Sequence, residues 1–272
     1  MVRRRAEVQL KRMRLLQLSD PHLLADPDAS YRGRRPFPLL AAALRQGAAL
    51  DPLPHLLLIS GDLCQDESWA GYCRLRELLE SWPTPVALLS GNHDHPQLLR
   101  AALGRRAVVA PALLELDACR LALLDSHQAG RQGGALGRRQ LAWLAAGLER
   151  WAGGPARPLL VAVHHPPVAI GDPGMDAIAL EDGAELLALL RPVPGLRALV
   201  FGHVHQHWRA EVPGRPGVEL LGCPSTLCGF GPVQPCPLGR ADDPGGRRLE
   251  LDAAGALDQR LLRWTAPEAA AA

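Results

Sequence analysis

Five short polar stretches, each directly behind a run of apolar residues, constrain this chain more than any other feature of its sequence. Together they supply two carboxylates, one amide oxygen and four imidazoles that could bind metal, with one further histidine beside them. This mixture of oxygen and nitrogen donors suits two divalent ions that share a bridging carboxylate. The stretches read DPH from residue 20, GD from residue 61, GNHD from residue 91, VAVH from residue 161 and GHVH from residue 202.

The apolar runs in front of these stretches have the length expected of β-strands. They are continuous rather than alternating, which is typical of strands covered on both faces. Stretches with helical apolar spacing lie between several of them, so the sequence predicts an α/β protein with one site at the carboxyl ends of its strands. The predicted strands are 15–18, 56–59, 86–89, 121–124, 159–163 and 196–201, and the predicted helices are 38–50, 68–82, 96–103, 137–150 and 181–190.

The chain is predicted to form a single domain over residues 14–266, with a basic tail at 1–13 and a frayed tail at 267–272. Residues 208–262 have shorter strand-like pieces rich in glycine and proline, and we expect them to form an antiparallel finishing sheet. The longest segment without regular structure is 222–239. Long loops in compact domains are often functional, but a plain surface excursion is equally compatible with this segment.

Composition narrows the class of partner. Lys+Arg 30 against Asp+Glu 28 is a near-neutral balance, which predicts neither nucleic acid nor an anionic membrane as partner. The sequence shows no signal peptide and no apolar stretch long enough to span a bilayer, so we expect a cytoplasmic protein. Its six cysteines form no Cys-x-x-Cys pair, and in that compartment we expect free thiols.

The order of the five polar stretches resembles that of the calcineurin-like metallophosphoesterase superfamily. The further stretches SGDLCQDES from residue 60, LLDSHQ from residue 123 and CPSTLCGF from residue 223 resemble the bacterial class III cyclic nucleotide phosphodiesterases. The resemblance implies a four-layer α-β-β-α sandwich with its metal site at the carboxyl ends of the strands. It also implies an enzyme that hydrolyses 3′,5′-cyclic AMP to 5′-AMP.

The resemblance implies a metal-binding role for seven residues. One ion would be held by Asp20, His22 and His205, a second by Asn92, His164 and His203, and Asp62 would bridge both. His165 competes with His164 for one position, and the spacing from Val161 favours His164. The implied ions are iron or manganese, with zinc, cobalt and magnesium as alternatives.

Catalytic roles follow from the same resemblance. His93 would protonate the leaving 3′ oxygen or hydrogen-bond a phosphate oxygen, and Asp94 would accept a hydrogen bond from His93 and orient its ring. A hydroxide bridging the two ions would attack phosphorus in line. Two divalent ions, less two aspartates and one hydroxide, leave about one positive charge, which complements a phosphodiester monoanion. Asn92 and His93 are expected to contact the substrate, and the position of Thr226 and Phe230 in the loop from residue 222 suggests that they contact its base or sugar.

Several alternatives stay open at this point. The same chemistry could act on 2′,3′-cyclic nucleotides, glycerophosphodiesters or phosphomonoesters. A non-catalytic scaffold is a further alternative, although the presence of all seven ligands and of His93 argues against it. A homodimer is also open. The histidines outside the pattern are interpreted as structural, namely His55, His95, His127 and His207.

Overall fold

The computed structural model describes residues 12–264, and twelve strands of this part of the chain form two six-stranded sheets. The strands are β1 Arg12–Leu18, β2 Leu56–Ile59, β3 Val86–Leu88, β4 Val108–Val109, β5 Ala112–Glu115, β6 Arg120–Leu123, β7 Leu159–Ala162, β8 Leu196–Phe201, β9 Trp208–Val212, β10 Arg215–Gly222, β11 Gly245–Asp252 and β12 Leu257–Arg263. The first sheet has the order β12-β11-β1-β2-β3-β4, and the second has the order β5-β6-β7-β8-β10-β9.

Helices cover the outer face of each sheet. They are α1 Pro36–Ala48, α2 Trp69–Glu80, α3 Pro96–Leu103, α4 Gly137–Ala152, α5 Pro173–Asp176 and α6 Gly183–Leu190. Within β1, Leu16 packs into the core under α1 and α2, whereas its neighbour Leu15 packs into the core between the two sheets. A third core lies between the second sheet and helices α4 and α6. Both faces of the central strands are therefore buried, and the predicted four-layer sandwich is confirmed.

Most predicted element bounds agree with the structure to within two residues. Strand β1 is the exception, because it begins at Arg12 rather than at residue 15. Arg12 and Met13 pair with Asp252 and Leu251 of β11, so this end of the strand is fixed by a distant part of the chain. The predicted tail therefore loses its last two residues to β1, and 1–11 lie outside the described residues, as do 265–272.

The prediction of one antiparallel finishing sheet over 208–262 is wrong. The four last strands divide between the two existing sheets. Strand β10 pairs in parallel with β8 and antiparallel with β9, which extends the second sheet. Strand β11 pairs antiparallel with β1 and with β12, which extends the first sheet. Local strand signals do not reveal which sheet edge is available to a strand, and this choice depends on tertiary packing.

The topology places the polar stretches together. Strands β1, β2 and β3 are parallel neighbours in the first sheet, and β7 and β8 are parallel neighbours in the second. Their carboxyl ends lead into the five polar stretches. None of the helices within residues 12–264 has the length and apolar character that crossing a bilayer requires. All six cysteines are unpaired.

Candidate metal centre

Four predicted ligands form one compact, buried set. Asp20, His22, Asp62 and His205 each offer a ligand atom, and these atoms lie within 4.8 Å of one another. His22 Nε2 is 3.0 Å from His205 Nε2, and His205 Nε2 is 3.6 Å from Asp20 Oδ1. The set combines residues that follow β1 and β2 of the first sheet with one that follows β8 of the second. A single ion at this point would therefore be bound by side chains from both sheets.

A second set surrounds the other oxygen of the same aspartate. Asn92 Oδ1 is 3.0 Å from His203 Nδ1 and 3.3 Å from His164 Nε2. Asp62 Oδ1 is 3.5 Å from His164 Nε2, whereas Asp62 Oδ2 is 3.7 Å from His22 Nε2. Asp62 thus presents one oxygen to each set, which is the arrangement required of a carboxylate that bridges two ions.

His165 lies in the same cluster but has no free ring nitrogen. Its Nδ1 is 2.8 Å from Ser126 Oγ, and its Nε2 is 3.0 Å from the carbonyl oxygen of Gln132. His164 instead directs Nε2 towards Asp62 and Asn92. The structure therefore favours His164 over His165 as the ligand, in agreement with the spacing from Val161.

The hydrogen bonds of three histidines fit a bound cation. Each directs Nδ1 at an oxygen that can only accept: His22 at Gln65 Oε1 (2.7 Å), His164 at Ser60 O (2.7 Å) and His205 at Cys228 O (3.0 Å). Each Nδ1 must therefore carry the ring proton, which leaves the lone pair on Nε2. The lone pairs of His22 and His205 face each other, and a cation between them would turn this repulsion into attraction. His203 differs, because its buried Nε2 has no partner among the described residues.

Burial shapes the charge of the cluster. Burial lowers the pKa of His22 to about 4, so its imidazole is neutral and able to bind metal at physiological pH. Burial, together with the nearby charge of Asp62, raises the pKa of Asp20 well above its usual value. Two buried carboxylates among neutral imidazoles have too little positive charge around them. Divalent cations would supply it, so the residues present fit a two-metal site.

Five of the predicted ligands lie in left-handed backbone conformations, which non-glycine residues rarely adopt. The φ angles are 49° at Asp20, 48° at His22, 49° at Asp62, 66° at His203 and 51° at His205. Such conformations cost roughly 1–3 kcal/mol each and persist where the surrounding structure enforces them. The backbone turns sharply at the ends of β1, β2 and β8, which directs these side chains to a common point.

Gly91 allows the two sets to approach each other. A Cβ atom at this position would overlap Asp62 Oδ1 and would lie 2.7 Å from His164 Nε2. The backbone of the GNHD stretch therefore passes against the bridging carboxylate. Only glycine permits this approach.

His93 lies beside the metal centre, but not in contact with Asp94 as predicted. The ring of His93 is 5.3 Å from that of His22, and its backbone N–H donates to Asp62 Oδ1 at 2.9 Å. Its Nδ1 lies 3.2 Å from Gln65 Nε2. The predicted hydrogen bond from His93 to Asp94 is therefore wrong.

Asp94 instead holds the loop that carries the ligands. The buried carboxylate accepts hydrogen bonds from the backbone N–H groups of Leu63, Cys64 and Gly91 and from the hydroxyl of Tyr72. Burial, with a contribution from Asp62, raises the pKa of Asp94 to about 7. Positive charge bound beside Asp62 would counter that contribution, and four donors favour the carboxylate form. Asp94 is a positioning residue.

The loop after β10 has a buried first half and a more exposed second half. Thr226 is buried, its backbone N–H donates to Ser19 O at 2.9 Å, and its hydroxyl is directed at the same carbonyl oxygen. The prediction that Thr226 contacts substrate is therefore wrong. Ser225 Oγ donates to Asp20 O at 2.7 Å. This half of the loop fastens the turn that carries Asp20.

Phe230 is half-buried, and its ring contacts His205 and Arg32. One face stacks on His205 with centroids 4.1 Å apart and planes at 5°. The guanidinium of Arg32 lies 4.9 Å from the ring centroid of Phe230 and 5.5 Å from that of Tyr31. Tyr31 in turn lies 5.2 Å from His22. The wall beside the first ligand set is thus aromatic, with one cation on it.

Sequence reasoning missed Gln65, Tyr31 and Arg32. Gln65 follows the GD stretch by three residues and contacts both His22 and His93. The closeness of this polar residue to the predicted ligand Asp62 was the only sequence signal that could have indicated its role. Tyr31 pairs with Arg34 across a two-residue turn that contains Arg32, and nothing in the local sequence connects that turn to the metal centre.

The remaining histidines have structural contacts. His55 Nδ1 accepts from Arg14 N, and His95 accepts from Leu98 N at the start of α3. His127 Nδ1 lies 2.9 Å from the carbonyl oxygen of Gly91. His207 lies 3.2 Å from the buried guanidinium of Arg247.

A sequence profile of the calcineurin-like phosphoesterases matches residues 13–207, which is most of the chain. The chain belongs to this family. Among calcineurin-like phosphoesterases it is 49% identical, over 95% of its length and 99% of the relative's, to a probable cyclic nucleotide phosphodiesterase of Synechococcus sp. strain WH7803. It is 34% identical, over 92% of its length and 89% of the relative's, to the 3′,5′-cyclic adenosine monophosphate phosphodiesterase CpdA of Pseudomonas aeruginosa.

Solved structures support the fold. A dimetal phosphatase from Danio rerio superposes with a TM-score of 0.64 at 14% identity, over 93% of this chain and 99% of that chain. A purple acid phosphatase from yellow lupin superposes with a TM-score of 0.60 at 14% identity, over 93% of this chain and 54% of that chain. At these identities the likeness concerns the fold alone. It agrees with the layers, sheets and buried His/Asp sets described above.

Proposed function

We propose that this calcineurin-like phosphoesterase is a two-metal phosphodiesterase that hydrolyses 3′,5′-cyclic AMP to 5′-AMP. The observation that carries the proposal is the pair of ligand sets that share Asp62, with His93 beside them. The names of its relatives support cyclic nucleotides as the substrate class.

The charge of the centre supports a phosphodiester. Asp20 and Asp62 provide two negative charges, and two divalent ions would provide about four positive ones. The remaining positive charge attracts a phosphodiester monoanion. When bound, the ions would also supply the Lewis acidity that makes water nucleophilic near neutral pH.

The residues of the chain itself would bind the substrate and handle the proton. His93 is partly exposed beside the first ligand set, a position suited to protonating the leaving 3′ oxygen. Asn92 would contact a phosphate oxygen from the second set. The ring of Phe230 stacks on His205 and lies 4.9 Å from the guanidinium of Arg32, so a contact with the nucleotide would be made beside these two side chains.

The proposal also covers the identity of the metal ions, the cellular compartment and the oligomeric state. Mixed oxygen and imidazole ligation supports iron or manganese, with zinc, cobalt and magnesium as alternatives. Six unpaired cysteines agree with a cytoplasmic location, where thiols stay reduced. A homodimer stays a prediction, to be tested by light scattering during size-exclusion chromatography.

The function is tested with metal-depleted protein reloaded separately with Fe²⁺, Mn²⁺, Zn²⁺ or Mg²⁺. Each form is assayed on cyclic AMP, cyclic GMP, 2′,3′-cyclic AMP, a glycerophosphodiester and p-nitrophenyl phosphate, with nucleotide products separated by chromatography. We expect 5′-AMP from cyclic AMP with iron or manganese. Turnover of the monoester alone would instead indicate a phosphatase. Absence of both metal binding and turnover would indicate a scaffold.

A further inference from the structure

Gln65 connects the first ligand set to His93 through the two ends of its side-chain amide. Its Oε1 lies 2.7 Å from His22 Nδ1, and its Nε2 lies 3.2 Å from His93 Nδ1. We propose that Gln65 is a positioning residue whose one amide fixes the ring proton of His22 on Nδ1 and that of His93 on Nε2. Metal binding at His22 would thereby determine which nitrogen of His93 can donate a hydrogen bond to the substrate.

The backbone holds Gln65 in this place. Strands β1 and β2 end before the ligands, but their pairing resumes beyond them. His22 N donates to Asp62 O at 2.9 Å, Leu23 N to Leu63 O at 3.0 Å, and Gln65 N to Leu23 O at 2.8 Å. Gln65 is therefore fixed beside His22 by three main-chain hydrogen bonds rather than by loop packing alone.

The metal-facing side of His22 determines how the amide is oriented. His22 Nε2 lies 3.0 Å from His205 Nε2 and 3.7 Å from Asp62 Oδ2, so this nitrogen must carry the lone pair if a metal is to bind. The ring proton is then on Nδ1 and needs an acceptor, which Gln65 Oε1 provides. The opposite amide orientation would move the proton of His22 onto Nε2, into the ligand set.

The consequence for His93 follows from the chemistry of an amide. With Oε1 used by His22, Gln65 presents its NH₂ group to His93 Nδ1, which must accept. In the singly protonated ring of His93 the proton is then on Nε2, for which residues 12–264 provide no hydrogen-bond partner. That nitrogen is free to donate to a substrate oxygen. A carboxylate in place of Gln65 would accept from both histidines and would draw the proton of His93 onto Nδ1.

Two substitutions at position 65 separate these roles. Gln65→Glu keeps the acceptor for His22 but removes the donor to His93. Gln65→Leu removes both hydrogen bonds. Gln97 is exposed on α3, close in sequence to His93, and has no hydrogen bond with the described residues, so Gln97→Glu is a control that adds the same charge.

The direct test is the proton position itself. Zn²⁺-loaded protein labelled with ¹⁵N at its 10 histidines is studied by two-bond ¹H–¹⁵N correlation, which distinguishes Nδ1–H from Nε2–H. The His93 signals are assigned by their loss in His93→Gln. We expect His22 as Nδ1–H and His93 as Nε2–H in wild type and in Gln97→Glu. In Gln65→Glu we expect His93 as Nδ1–H. A wild-type His93 proton on Nδ1, or an unchanged proton position in Gln65→Glu, would overturn the proposal.

Metal affinity gives a second readout. Loss of such a second hydrogen bond to a metal-binding histidine typically weakens metal binding about 10–100-fold. We expect that loss for Zn²⁺ in Gln65→Leu, whereas Gln65→Glu should bind at least as tightly as wild type. Equal affinity in Gln65→Leu and wild type would remove His22 from the proposal.

The kinetic test rests on the proposed function. A hydrogen bond from His93 Nε2 to the leaving oxygen matters for the poor alkoxide leaving group of cyclic AMP and much less for p-nitrophenolate, whose charge is delocalised. Gln65→Glu should therefore lose on the order of a hundredfold on cyclic AMP and only a few fold on bis(p-nitrophenyl) phosphate. Equal losses on both substrates would refute coupling to the proton donor. If wild type does not hydrolyse cyclic AMP, the proposed function fails while the proton positions still decide the role of Gln65.

Discussion

At the scale of single residues, the position of the ring proton on each histidine determines how the metal centre is organised. Carbonyl oxygens of Ser60 and Cys228 and the side chain of Gln65 fix the ring protons of three histidines away from the ligand sets. The lone pairs that remain face two buried carboxylates. The centre is thus arranged for cations before any cation binds, although the enforced left-handed backbone and buried charge make the metal-free state costly.

Gly91 is the position where the smallest change should have the largest effect. Gly91→Ala places a methyl group against Asp62 Oδ1 and His164 Nε2, so the bridging carboxylate must move. We expect metal affinity to fall at least about tenfold, with turnover falling in parallel, because ligand geometry determines both. Metal content after dialysis and the rate on cyclic AMP measure these changes. Gly133→Ala is the control, since its nearest neighbour would be 3.5 Å away, and wild-type affinity in Gly91→Ala would contradict the prediction.

His93 should affect turnover without affecting metal. His93→Ala removes a side chain that lies beside the ligands but belongs to neither set, so we expect wild-type metal content. Turnover of cyclic AMP should drop on the order of a hundredfold or more, the usual contribution of a positioned proton donor. His55→Ala is a matched control at the opposite end of β2 from Asp62. Full activity of His93→Ala would remove this residue from the mechanism.

The site residues were predictable where their type and order along the chain carry the information. Aspartate, asparagine and histidine directly behind strands identify the members of both ligand sets. The acceptors Ser60 O and Cys228 O were not predictable, because every residue has a carbonyl group. Asp94 was misassigned because sequence adjacency to His93 suggested a contact, whereas the turn of the backbone directs the carboxylate into the protein.

At the scale of elements, α2 fastens the GNHD loop through one side chain. Tyr72 is fully buried, its hydroxyl donates to Asp94 Oδ1 at 3.0 Å, and it accepts from His95 N at 2.6 Å. Asp94 in turn gathers backbone N–H groups from the turns after β2 and β3. The helix thus holds two ligand-bearing turns without contributing a ligand.

Tyr72→Phe should therefore weaken the fold through this connection. The substitution leaves His95 N unpaired and removes one donor from a buried carboxylate, and we expect a loss of about 2 kcal/mol in the free energy of unfolding. Urea denaturation of the metal-free protein measures the loss. Tyr31→Phe is the control, because the Tyr31 hydroxyl has no hydrogen bond within residues 12–264. A loss of the same size in both variants would contradict this role of Tyr72.

The elements predicted in the first two-thirds of the chain agree closely with the structure, because long apolar runs alternate there with amphipathic stretches, but the short elements β4, β5 and α5 were not predicted. The last strands were predicted as strands of one antiparallel finishing sheet, whereas they join the two existing sheets. Strand β11 pairs with β1 across more than two hundred residues of sequence, Leu249 opposite Leu15, and no local pattern encodes that choice. The role of the loop after β10 could not be predicted either, because the burial of its first half depends on contacts with the turn that carries Asp20.

At the scale of the whole molecule, buried neutral histidines should make stability depend on pH. Burial, with a contribution from His164, lowers the pKa of His165 to about 3, and burial lowers that of His22 to about 4. In the unfolded chain both would titrate near pH 6.5. Below that pH the unfolded chain binds protons that the native protein excludes, so stability falls as the pH is lowered from about 6.5 towards 4.

The dependence is tested with metal-free protein in a chelator, by urea denaturation between pH 7.5 and about 4. His165→Gln removes one of the excluded protons and can still bond Ser126 and Gln132. We expect its free energy of unfolding to fall less steeply with decreasing pH than that of wild type. Parallel curves for the two proteins would show that His165 does not contribute.

Each ligand set draws on both sheets, and this has a consequence for how the protein is made. Neither set is complete before His203 and His205 have been synthesised, although Asp20, His22 and Asp62 emerge early. A growing chain on the ribosome therefore has only incomplete ligand sets until these histidines have been added. A complete set of ligands would therefore become available only late in biogenesis, and a protein truncated before β8 would lack ligands of both sets.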